Sequence, residues 1–114
     1  MLITVAELPE YQRRAEKLLS PDERQDIVAY LAAFPREGDL IRETGGVRKL
    51  RWGRSGRGKS AGVRVIYYFH SERMPLYLLT VFAKNERADL TQGERNGLAK
   101  LVKLLIDTTS GQRT

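Results

Sequence analysis

Seven cations, Arg48, Lys49, Arg51, Arg54, Arg57, Lys59 and Arg64, lie between Thr44 and Ser71, a stretch without a single Asp or Glu. The chemistry such a set can do is to hold phosphate. Arg grips phosphoryl oxygens through paired N–H donors, and Lys adds a compact point charge. Solvated faces ordinarily mix the two signs, so an acid-free basic run points to a polyanionic partner. The whole chain agrees: 20 Lys+Arg against 14 Asp+Glu leave a net charge of +6 over 114 residues. For a small basic domain, nucleic acid is a better match than a membrane surface. Arg64 is the sharpest position, because it interrupts the otherwise apolar and aromatic run Val63–Phe69. An unpaired charge there is costly. Either an ion pair with Glu86 or Asp89 or a ligand phosphate must compensate it.

Other chemistries are poorly supplied. There is no Cys, which removes disulfides, thiolate zinc sites and thiol nucleophiles. The one histidine, His70, cannot build a multi-histidine metal site, and the carboxylates show no ligand spacing. No metal and no cofactor are expected. Asp22, Glu23 and Asp26 sit at a helix start, where acids favour the macrodipole. Gly53 and Gly58 stand before Lys59-Ser60 with phosphate-loop spacing. Such a loop must run into a helix, yet Val63-Arg64-Val65-Ile66 reads as strand. A basic hairpin loop carrying Arg54, Arg57 and Lys59 is the better reading. No apolar run approaches the roughly 20 residues of a membrane span, and no signal peptide is evident, so a cytoplasmic location is expected.

The elements that must position these cations are legible. Ser20-Pro21-Asp22-Glu23 is a capping box with Pro at the first helical position, followed by Ile27, Tyr30, Leu31 and Phe34 at helical spacing. Tyr11, Ala15, Leu18 and Leu19 form a shorter stripe upstream, so a helical hairpin hinged near Ser20 is expected. Thr91-Gln92-Gly93-Glu94 opens a C-terminal helix through Leu98, Leu101, Val102 and Leu105. Between the helices, Val47–Trp52 alternates: Arg48, Leu50 and Trp52 on one side, Lys49 and Arg51 on the other. Val63–Phe69 and Leu76–Ala83 read as strands joined by a turn over Ser71–Pro75, and Leu2–Val5 as an added edge strand. The expected fold class is α+β: a small, mostly antiparallel twisted sheet with an N-terminal helical hairpin and a C-terminal helix, one domain over residues 1–114. Arg and Lys on neighbouring strands would converge on one face with the basic loop at its rim, and Tyr67, Tyr68 and Trp52 would offer stacking surface for unpaired bases.

Gly38-Asp39, Thr44-Gly45-Gly46-Val47-Arg48-Lys49-Leu50-Arg51-Trp52, Gly62-Val63-Arg64-Val65-Ile66-Tyr67-Tyr68 and the run Leu78–Leu90 together resemble toxins of the RelE/HigB superfamily, nearest the HigB-like branch. The resemblance covers nearly the whole chain. It implies the toxic half of a type II toxin–antitoxin pair, which inhibits translation by ribosome-dependent, metal-independent cleavage of mRNA. It also implies a cognate antitoxin of the helix-turn-helix type, with operator DNA bound only through the antitoxin complex. Residue by residue, Arg64 matches the arginine that contacts the scissile phosphate. Lys49 and Arg51 match a basic pair on the preceding strand, and Lys84 lies where further catalytic residues are placed. Arg48, Arg54, Arg57, Lys59 and Tyr68 complete the expected RNA- and ribosome-binding set. The chain departs from the pattern where a late Arg and Tyr are usual, with Asn85 and Thr91 at about those places. Lys49, Glu86, Tyr67 and Tyr68 all stand as candidates for the general base. The alternative reading is a non-cleaving nucleic-acid or ribosome-binding module that acts mainly as an antitoxin partner in an autoregulatory complex.

Overall fold

A computed structural model of the chain describes residues 3–53, 62–87 and 89–111. Eight elements follow one another: β1 (Val5–Glu7), α1 (Pro9–Leu18), α2 (Pro21–Ala33), β2 (Asp39–Leu40), β3 (Val47–Trp52), β4 (Val63–Tyr68), β5 (Leu76–Ala83) and α3 (Gln92–Gly111). The sheet order is β1-β5-β4-β3-β2. β1 pairs parallel with β5, and the other pairings are antiparallel. This is the expected α+β architecture. The added edge strand is Val5–Glu7, where Leu2–Val5 is expected from the sequence and Leu2 lies outside the described residues, and β2 is a two-residue edge strand with no counterpart in the sequence reading.

Both capping boxes form. Ser20 Oγ accepts the Glu23 N–H at 3.1 Å while Glu23 Oε1 accepts the Ser20 N–H at 2.8 Å. At α3 the Glu94 N–H donates to Thr91 Oγ1 and the Thr91 N–H to Glu94 Oε1. Each box satisfies two helix-end donors that would otherwise be orphaned.

The strand alternation splits the sheet into two faces. Leu50, Val63, Val65, Leu78 and Val81 pack with Tyr11, Ala15, Ile27 and Leu31 under the α1–α2 hairpin. Val47, Ile66, Tyr68 and Phe82 pack on the other face with Leu90 and Val102 of the α3 segment. β4 and β5 are therefore covered on both sides, as their near-continuous apolar sequence requires.

A buried phenol fastens the connection into β2. The Tyr67 hydroxyl donates to the Pro35 carbonyl at 2.9 Å and accepts the Gly38 N–H at 2.8 Å. A Cβ on Gly38 would lie 2.8 Å from the Tyr67 ring, so that position admits no side chain. Burial pushes the Tyr67 phenol above its ordinary pKa. With both hydroxyl contacts occupied on the helical-hairpin face, Tyr67 locks the connection into β2 in place.

Candidate RNA-cleaving face

Register places the cations more sharply than composition does. Arg51 of β3 is the direct cross-strand partner of Arg64 of β4, and Arg64 in turn faces Phe82 of β5. Lys49, two residues before Arg51, lies on the same face opposite Ile66. Directly opposed like charges destabilise an antiparallel pair. Among the described residues, neither arginine has a carboxylate within ion-pair distance. Among the described residues, the Arg64 guanidinium donates from Nη1 to the Val63 carbonyl of its own strand at 3.3 Å. The ion pair with Glu86 or Asp89 weighed from the sequence does not form.

Those two acids are engaged elsewhere. Asp89 accepts from Lys49 Nζ at 3.4 Å and lies 3.8 Å from Arg95 Nη2. The Leu90 N–H at 2.8 Å, ahead of Lys49, holds the Asp89 carboxyl below its usual range. Lys49 and Arg51 line a groove of about 510 Å³ between the β2 segment and the start of α3, with Arg42 and Arg95 and the acids Asp39, Glu43 and Asp89 in the same wall, and Asp39 stands directly across from Lys49. A slightly larger cavity, about 570 Å³, lies between β1 and α2, but its wall of Ile3, Val28 and Ala32 carries none of the candidate residues. Chemistry, not size, selects the first.

The turn after β5 adds cations at the same end of the sheet. Lys84 is exposed, and its N–H donates to the Gly62 carbonyl at 3.0 Å, beside the start of β4. Arg87 places its guanidinium 4.5 Å over the Phe82 ring and is held by Glu94 at the N-terminus of α3. By sequence Asn85 stands in the late basic position, and Arg87 is the cation that the turn brings beside Phe82. Its signal was only a cation three residues past Lys84, in a turn that has no periodicity to assign it a face.

Two of the expected contacts lie in other surroundings than Lys49 and Arg51. Arg48 lies on the opposite face, opposite Tyr67, and its guanidinium donates to the carbonyls of Gly38 (2.8 Å) and Arg36 (3.1 Å). It ties down the strand connection instead of meeting the Lys49–Arg51 face. Tyr68 is on the correct face, but its ring is only 3% exposed within the α3-side core, and its hydroxyl lies 3.2 Å from His70 Nδ1. It presents no ring for stacking, and burial raises its phenol pKa. Trp52 is half-buried on the hairpin face, edge-on to Tyr30 at 5.7 Å. Arg54, Arg57 and Lys59 lie outside the described residues.

Glu94 links this site to pH. Its carboxyl is held below the ordinary value of 4.5, first by Arg87 and then by the Thr91 N–H. A depressed carboxylate contributes stability that is complete above the unfolded-state pKa and is lost as pH falls through the folded one. The urea midpoint should therefore drop between pH 6 and pH 3, and drop less in Glu94→Gln. An equal acid loss in both proteins would remove Glu94 from this linkage.

Comparison with known proteins converges on one family. The family model described as the RelE toxin of the RelE/RelB toxin–antitoxin system matches residues 35–113. Among solved structures, one of the Escherichia coli toxin RelE in the free state, with two arginines changed to alanine, is similar at a TM-score of 0.57. Sequence identity is 16%, and the match covers 87% of this chain and 95% of that one, so the likeness is one of fold. The family model spans the whole basic face from β2 to α3, and on that match the chain belongs to the RelE toxin family, the toxin half of a toxin–antitoxin pair.

Proposed function

We propose that the protein inhibits translation by cutting mRNA in the ribosome, with the Lys49–Arg51–Arg64 face as the cleavage site. The observation that carries this reading is the unneutralised Arg51–Arg64 cross-strand pair. A bridging phosphate turns that repulsion into two charge-assisted contacts. Phosphate contacts position an RNA strand, and in-line placement of the 2′-hydroxyl against the adjacent phosphorus supplies the nucleophile from the substrate itself.

The reaction then runs without a protein nucleophile. The 2′-hydroxyl loses its proton to solvent water as its oxygen bonds to phosphorus, the P–O5′ bond breaks, the departing 5′-oxygen takes up a proton, and a 2′,3′-cyclic phosphate and a 5′-hydroxyl result. Arg64 and Arg51 stabilise the negative charge gathering on the phosphoryl oxygens. Of the four groups weighed as bases, Tyr67 and Tyr68 are buried and Glu86 is bonded to backbone. Lys49 shares the face with the arginines. As an ammonium it serves to protonate the departing 5′-oxygen, with Asp89 as its counter-charge. So small a face has little surface on which to bend free RNA, so the ribosomal decoding site presents the strand. The antitoxin masks the face, and a helix-turn-helix antitoxin carries the pair to operator DNA.

Inducible expression in a bacterium tests this reading. Translation should stop within minutes, with new transcript ends inside coding sequences. Arrest without any transcript breaks would favour the non-cleaving alternative.

A further inference from the structure

β1 pairs with β5 only at residues 76–78, which leaves the outer edge of β5 without a strand from there to Ala83. Unpaired edge groups need partners or they invite foreign strands. Two side chains supply them. Arg14 Nε of α1 donates to the Val81 carbonyl at 2.7 Å, and Glu86 Oε1 accepts the Ala83 N–H at 2.8 Å. The β1 segment bonds the Leu76 N–H and the Leu78 carbonyl, and the register shift between Ile66 and Tyr67 in the β4–β5 pairing leaves one extra residue in β5, so that Val81 and Ala83, which as alternate residues share a side, face the edge where β1 stops. The two side chains also meet each other, Arg14 Nη2 to Glu86 Oε1 at 3.6 Å. The Glu86 N–H closes the turn on the Ala83 carbonyl at 3.0 Å.

This pair decides how the chain leaves β5, and that turn carries Lys84 and Arg87 toward the Arg64–Phe82 rung. We propose that Arg14 and Glu86 are positioning residues for cleavage, acting from the far edge of the sheet through the turn that bears Lys84 and Arg87, whose cations join Arg64 in holding the RNA phosphates. The proposal rests on the cleavage reading above and adds to it residues that touch no RNA. It also replaces a base role for Glu86. A base must exchange a proton, whereas a positioning carboxylate need only accept the Ala83 N–H.

The experiment uses purified full-length protein with programmed ribosomes, in single turnover, alongside amide hydrogen exchange of residues 83–87. Glu86→Ala and Arg14→Ala should each slow cleavage at least about tenfold, since small misplacements of catalytic groups are costly. Ribosome affinity should hold, and exchange at Ala83 should quicken. Glu86→Gln, whose amide oxygen still accepts the Ala83 N–H, should keep most of the rate. Combined with Arg87→Ala, Glu86→Ala should add little. A Glu86→Gln protein as slow as Glu86→Ala would overturn the assignment and restore the base role. Wild-type rates in both alanine variants would also overturn it while leaving the cleavage reading intact. If the wild type itself cuts nothing, the cleavage reading fails and with it the proposed purpose. Exchange then still decides the contact, and unchanged exchange at Ala83 would refute that too.

Discussion

Arg64→Ala should lower single-turnover cleavage by about a hundredfold to a thousandfold, the range seen when one preorganised donor to a developing oxyanion is removed. Its melting temperature should stay level or rise. Arg64 has no carboxylate partner among the described residues and faces Arg51 across the strands, so truncation removes a like-charge contact and leaves no acid stranded. Circular dichroism and a melting curve establish that the variant is folded before its rate is read. Expression in a bacterium gives the cellular counterpart, since growth arrest should disappear while antitoxin binding persists. A folded Arg64→Ala protein that cuts at the wild-type rate would remove this arginine from the chemistry.

Arg51→Glu should separate stability from activity in one substitution. The new carboxylate would stand directly opposite Arg64, converting a repelling cross-strand pair into an attracting one, a change of about 0.5–1 kcal/mol in favour of the folded state. The same change puts a negative charge where the phosphate must sit, so cleavage and ribosome affinity should fall by more than about a hundredfold. Thermal melting and a ribosome-binding titration over a salt series measure the two arms. The variant is expected to be more stable and inactive, with a shallower salt dependence. Loss of stability on Arg51→Glu would mean that the opposed arginines are not in conflict, and would weaken the case that a phosphate reconciles them.

The difference between what was legible in the sequence and what was not is one of range. Capping boxes at Ser20–Glu23 and Thr91–Glu94 are local signals, and both helices start where they direct. The alternation across Val47–Trp52 likewise assigned Lys49 and Arg51 to one face and Arg48 to the other before any strand pairing was known. Arg48 follows that alternation, and its guanidinium donates to the Arg36 and Gly38 carbonyls on the hairpin side. β2 escaped notice because two residues, Asp39 and Leu40, carry no periodicity. Arg87 escaped because a turn residue's face is set by tertiary contacts, here the Phe82 ring and Glu94. That Arg51 stands against Arg64 is a matter of register between strands separated by a ten-residue connection, which no local pattern encodes. The strongest feature of the site is thus the one that needed the structure.

If this face directs a substrate 2′-hydroxyl onto phosphorus, the chemical identity of the cut ends records it. Purified protein and programmed ribosomes carrying end-labelled mRNA should yield upstream fragments ending in a 2′,3′-cyclic phosphate, or the 3′-phosphate formed when it opens. Downstream fragments should begin with a 5′-hydroxyl that polynucleotide kinase labels without prior phosphatase treatment. Fragments bearing 5′-phosphate and 3′-hydroxyl ends would contradict the account, because attack by the 2′-oxygen cannot produce them.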